Sequence, residues 1–133
     1  LNPATEETVS KKMHYVKQNG ATVFKSAING MYDITQKIMI KNNISNENLK
    51  LFIPHQANKR IIDATAKKMR LNKEQILINI DKYANTTAAS IPLALCDAYD
   101  KKILNIGDNL ILTAFGAGFT WGSCLIKWGI DCE

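Results

Sequence analysis

The sequence predicts a layered α/β domain with a mixed sheet, parallel except for its last hairpin strand. Three observations carry that prediction. Helical and strand periodicities alternate along the chain. Residues 51–69, LFIPHQANKRIIDATAKKM, join a short apolar run to a basic amphipathic helix through Pro54 and His55. Near the end, two apolar runs are separated only by Gly116-Ala117-Gly118, and strands joined so closely are antiparallel neighbours. A length of 133 residues fits one domain.

The elements follow in order. Thr5-Glu6-Glu7-Thr8 can start a short helical turn, and residues 13–18, with His14, Tyr15 and Val16, read as a short strand before the Asn19-Gly20 turn. A helix is predicted over residues 22–41. Val23, Phe24, Ala27, Ile28, Met31, Ile34, Ile38 and Met39 recur at spacings of three and four and form one apolar stripe, which Asn42-Asn43 ends. Ser45, with Asn48 three places on, marks a capped turn. Residues 49–53 read as a buried strand. Residues 58–70 read as a helix with Ile61, Ile62, Thr65, Ala66 and Met69 on one face and Arg60 and Lys67 nearly opposite. A connector over 71–75 leads to a β-rich run at 76–80. A helix over 88–102 tolerates Pro92 near its start. Strands are predicted at 109–115 and 119–128, the second interrupted by Gly122.

Composition removes several classes. A net charge of +5 permits an acidic partner without specifying one. There is no zinc-finger spacing, aromatic-rich sheet motif or long Lys/Arg run, which argues against nucleic acid. No apolar run approaches the roughly 20 residues of a membrane span. Three cysteines, Cys96, Cys124 and Cys132, without CxxC spacing, fit reduced thiols better than a disulfide framework or zinc ribbon. The opening LNPATEETV has neither a signal-peptide pattern nor a starting methionine, and reads as the middle of a longer protein.

His55 is the first candidate for chemistry, because polar residues at the carboxyl ends of parallel strands converge on one rim. A lone histidine there is ordinarily structural. Its company changes the weighing: Gln56, Asn58 and Arg60 follow at once, and Asn85 lies after the next β-rich run. A neutral imidazole and a carboxamide can both donate to one oxygen, an arrangement that stabilises an enolate or a tetrahedral intermediate. Gly116-Ala117-Gly118 reads either as a plain hairpin turn or as backbone N–H donors on the same rim. Ala88 and Ala89 read as helix-to-sheet packing.

PHQANKRI, YANTTAASIPLAL and FGAGFTWGS together resemble the C-terminal half of the β-ketoacyl-acyl carrier protein synthase III family, condensing enzymes of thiolase-like fold that begin type II fatty-acid synthesis. HYVKQNGATVFKSA is similar to that family's approach to its pantetheine tunnel. The resemblance runs through nearly the whole chain in the right order. It implies that residues 1–133 form the C-terminal thiolase-like domain, without the N-terminal half. It implies a Cys-His-Asn triad in which His55 and Asn85 are the second and third members, with the Cys in the missing half. The chain alone would then be an inactive part of a cytoplasmic acyltransferase. The backbone N–H of Ala117 would belong to the oxyanion hole. Phe24, Ala57 and Asn58 would meet the pantetheine arm, and Lys25, Arg60, Lys67 and Lys68 would dock the acidic acyl carrier protein. Acyl-CoA and malonyl-acyl carrier protein would be the substrates, with no metal or redox cofactor, and the full-length enzyme would be a homodimer.

Two positions depart from the family pattern, Ala84 and Ala117, where glycine is usual. If Ala117 needs a positive φ, alanine costs about 1 kcal/mol. Two other readings stay open: a condensing enzyme of chalcone-synthase or polyketide-starter type, and a non-catalytic carrier-binding or dimerisation module.

Overall fold

The computed structural model describes residues 3–15 and 17–132. A short helix, α1 (Glu6–Ser10), is opened by Thr5, whose hydroxyl accepts from the Thr8 N–H. The strand expected at 13–18 is not formed. Residues 13–15 make a turn and bend, 17–18 are irregular, and Val16 lies outside the described residues. β-Prone side chains without a partner strand have nothing to pair with.

Helix α2 (Gly20–Lys41) starts two residues before the expected position, because Asn19 caps it by accepting from the Thr22 N–H. Ala27, Met31 and Met39 are buried as the stripe predicts, and Gly30 and Thr35 join them. After a turn in which the Asn48 side chain accepts from the Ser45 N–H and hydroxyl, strand β1 (Leu49–Pro54) enters the core. Helix α3 (Lys59–Met69) buries Ile62, Thr65, Ala66 and Met69 and ends on Arg70 in the left-handed conformation. Helix α4 (Ile80–Tyr83) is a single turn. A 3₁₀ turn, Thr87–Ala89, leads into α5 (Ser90–Asp100), so this helix begins later than the sequence predicts. Strands β2 (Asn109–Gly116) and β3 (Thr120–Lys127) close the fold.

The sheet order is β1-β2-β3, with β1 parallel to β2 and β2 antiparallel to β3. The mixed sheet and its final hairpin are as the sequence predicts, and Gly122 pairs with Ala114 without breaking β3. The strand expected at 76–80 is reduced to one parallel bridge from Ile76 to Phe52; Asn79 then turns its side chain away and Ile80 opens α4.

Helices pack on both faces of the sheet, α2 and α3 on one and α5 on the other. On one face Met31, Met39 and Met69 from α2 and α3 pack on Leu49, Phe52 and Ile111. On the other, Ala94 and Ala98 of α5 pack on Leu51, Ile53 and Leu110. Leu49 and Phe52 share a face although three residues apart, because the register shifts between Leu49 and Leu51. Leu51, Phe52 and Ile53 are all at most 2% exposed. At about 1.5–3 kcal/mol for each buried side chain, they anchor the strand that ends at His55. No helix among the described residues is long and apolar enough to cross a membrane.

Candidate active site

His55 follows directly on β1. Its backbone N–H donates to the Thr113 carbonyl at 2.7 Å, so the residue continues the parallel pairing before the chain turns. Gln56, 1% exposed, locks that turn. Its Nε2 donates to the carbonyls of Pro54 (2.7 Å) and Leu77 (3.2 Å), and its Oε1 accepts from the Asn79 N–H at 3.1 Å. Gln56 therefore braces the rim and is spoken for. The half-buried His55 ring is free on one edge and held on the other, with Nδ1 2.7 Å from Ser90 Oγ. Burial pushes the imidazole below its ordinary value of 6.5, which favours the neutral ring.

Asn85 sits in a tight loop between α4 and the Thr87–Ala89 turn. Its Oδ1 accepts from the Thr87 N–H at 3.1 Å, which leaves Nδ2 as the end free to donate. The loop is strained on both sides. Ala84 has φ 58 and ψ −158, a region essentially reserved for glycine, and Thr87 has φ 51. Asp97 of α5 spans the approach to this loop. Its carboxylate, 5% exposed, accepts from Asn79 Nδ2 (2.9 Å), Lys82 Nζ (3.1 Å) and Tyr83 OH (3.0 Å). The Asn79 hydrogen bond is the main reason the Asp97 carboxyl is held below its ordinary range.

Ala117 lies in the β2–β3 connection. Positive φ falls at Gly118 (76) and Phe119 (54), while Ala117 keeps a negative φ, so the alanine carries no left-handed strain. The departure that does carry strain is Ala84.

One cleft of about 1060 Å³ takes in His55, Asn85, Ala117, Phe24, Lys25, Ala57, Asn58 and Arg60. Arg60 lies over the Phe24 ring at 5.4 Å, joining the start of α3 to α2 at the cleft wall. Asn58 also caps α3, accepting from the Arg60 N–H at 2.9 Å. Lys67 and Lys68 are not among the lining residues. Lys68 turns to Asn29 Oδ1 at 2.6 Å and over the Tyr32 ring at 4.4 Å. None of the three cysteines lines the cleft either. Among the described residues no group of three His, Cys, Asp or Glu side chains is placed to hold a metal ion.

Residues 39–128 match the family described as 3-Oxoacyl-[acyl-carrier-protein (ACP)] synthase III C terminal. The chain belongs to this family. The family's curated members agree. The β-ketoacyl-[acyl-carrier-protein] synthase III of Azobacteroides pseudotrichonymphae is 51% identical over 131 residues, covering 98% of this chain and 39% of the relative. That of Phocaeicola vulgatus is 52% identical over 129 residues, covering 97% and 38%. The chain thus spans about two fifths of the length of the synthases it matches. Solved synthase III structures superpose on it. The Pseudomonas aeruginosa structure gives a TM-score of 0.84 at 37% identity, over 98% of this chain and 40% of that one. The Thermus thermophilus structure gives 0.81 at 43%, over 85% and 35%. The fold is therefore the thiolase-like half that the motifs resemble.

Ser90 and Asp97 escaped the reading of the sequence. Both carry a signal visible in hindsight: Ser90, Ala94, Asp97 and Ala98 recur at helical spacing, which puts a hydroxyl and a carboxylate on the buried stripe of α5.

Proposed function

We propose that this chain is the C-terminal half of an initiating condensing enzyme of type II fatty-acid synthesis, joining an acyl group from acyl-CoA to malonyl-acyl carrier protein. The observation that carries the reading is the convergence of His55, Asn85 and Ala117 on one cleft. In this reading the acyl group is first carried as a thioester on a Cys of the N-terminal half. The absence of a cysteine from the cleft lining and the greater length of the relatives favour that division.

The malonyl thioester oxygen then meets two donors, the ring N–H of His55 and the Nδ2 of Asn85. As the C–CO₂ bond breaks, CO₂ leaves and the electron pair becomes an enolate whose oxygen those donors stabilise. The enolate carbon attacks the acyl thioester carbonyl. The Ala117 N–H supports the oxyanion, and the Cys thiolate departs. A neutral His55 suits this role, since an imidazole held below its ordinary range remains a donor without bringing a net charge. Nothing in these steps calls for a metal or redox group. Phe24 and Ala57 would flank the pantetheine arm, while Lys25 and Arg60 at the cleft would face the acidic carrier.

The test is Asn85→Ala in the full-length protein. Malonyl decarboxylation should be abolished while acylation of the Cys, read by mass spectrometry after incubation with acetyl-CoA, stays largely intact. Loss of acylation with normal decarboxylation would refute the assignment. A stable adduct on Cys96, Cys124 or Cys132 with turnover would place the nucleophile in this half instead.

A further inference from the structure

Ser90 occupies a position that packing alone does not explain. It is 2% exposed, the first residue of α5, and its Oγ faces the turn at the end of β1. Two groups reach that oxygen. The Gln56 backbone N–H, 3.3 Å away, can only donate. His55 Nδ1, 2.7 Å away, can donate or accept according to tautomer. Among the described residues, the Ser90 side chain has no other hydrogen-bond partner. Its hydroxyl hydrogen thus has one acceptor available, Nδ1. A buried O–H left without an acceptor costs about 1–3 kcal/mol, so the arrangement with Nδ1 accepting is the one that satisfies every group.

We infer that Ser90 is a positioning residue that fixes the tautomer of His55: its hydroxyl accepts from Gln56 N–H, donates to Nδ1, and thereby leaves the ring proton on Nε2. This rests on the proposed function and deepens it, because a proton on Nε2 makes that nitrogen a donor. With the opposite tautomer the same edge would present a lone pair to the substrate oxygen and repel it. A histidine fixed at Nδ1 in this way arrives with its donor already aimed.

The experiment is nitrogen-15 NMR of the histidine rings in the full-length protein at pH 7.5, with His55 assigned from a His55→Asn spectrum, alongside malonyl decarboxylation and Cys acylation assays. The wild type should show the Nε2–H signature. Ser90→Ala should populate both tautomers and slow decarboxylation about 10- to 100-fold, the range typical when the partner orienting a ligating imidazole is removed. Acylation should be largely unaffected, and Ser90→Thr, which keeps the hydroxyl, should restore the tautomer and most of the rate. An Nδ1–H signature in the wild type overturns the inference without the need for any variant. So does a Ser90→Ala protein that keeps the Nε2–H form, whatever its rate. A shifted tautomer with an unchanged rate would uphold the hold of Ser90 on the ring and refute His55 as the donor.

Discussion

Removal of the Asp97 carboxylate should loosen the Asn85 loop, and the structure allows the competing energies to be compared. Ala84 is strained by about 1–3 kcal/mol in its glycine-like conformation (φ 58, ψ −158). Against it stands Asp97, whose carboxylate accepts from the buried Asn79 and the half-buried Tyr83. Hydrogen bonds to a charged group contribute about 1.5–3 kcal/mol each, which puts the pair at about 3–6 kcal/mol. Lys82 is exposed and is left out of that figure. The clasp exceeds the strain, so the loop is held. Without the clasp only the Ala84 N–H bond to the Ile80 carbonyl and the Thr87 N–H bond to Asn85 hold the strained loop, and the carboxamide loses its aim. Asp97→Ala should therefore lower stability by about 3 kcal/mol or more in urea denaturation of the full-length protein. It should also slow malonyl decarboxylation at least about tenfold, which needs only about 1.4 kcal/mol of misplacement. Ala84→Gly in the Asp97→Ala background should recover part of the rate by removing the strain. Full decarboxylation in Asp97→Ala, at a stability loss of the expected size, would refute the reasoning.

Two further outcomes follow from the site. Charge reversal at Arg60 should raise the apparent KM for the carrier-linked substrate, more so at low salt because exposed charges act over about 10 Å at 0.1 M, and should affect the CoA substrate much less. Equal damage to both would assign Arg60 to the cleft itself, where it lies over Phe24. His55, held below 6.5 in the folded state by burial, should make the protein less stable as pH falls from about 6.5 toward the folded value, because the unfolded chain then binds the extra proton. In urea denaturation across that window, His55→Asn should show a flatter pH dependence; an unchanged slope would mean that another group titrates there.

The parts of the fold legible in the sequence are those with their own periodicity. The stripe of α2, the buried face of α3 and the β2–β3 hairpin each announce themselves within one segment. Residues 76–80 do not, because Ile76, Ile78 and Ile80 alternate like a strand while the chain offers β1 only one bridge, at Ile76. The side chain of Asn79 is committed to Asp97 instead. The same limit applies at the site. His55 and Asn85 were visible as motif residues at the ends of apolar runs. Ser90 reaches His55 across 35 residues, and Asp97 reaches Tyr83, Lys82 and Asn79 across 14, 15 and 18, so only the folded chain brings these groups together. The sequence ties a backbone cost to Ala117 only on the condition of a positive φ there; the positive φ falls at Ala84 instead.

The backbone oxygen that receives the His55 N–H belongs to Thr113, and the Thr113 hydroxyl is part of a buried relay. Thr35 Oγ1 of α2 lies 2.8 Å from Thr113 Oγ1, which lies 2.9 Å from Ser123 Oγ of β3. Three elements thus meet at a polar point inside an otherwise greasy layer. Oil-like packing tolerates sliding, since one methyl substitutes well for another. A chain of hydroxyls does not. Slipping β2 by a single residue would turn Thr113 to the opposite face and leave the buried Thr35 hydroxyl without its partner, at about 1–3 kcal/mol. The relay works as a detent: it makes every misaligned sheet expensive at the rung where the histidine is attached, and so sets the height at which the imidazole stands above the sheet.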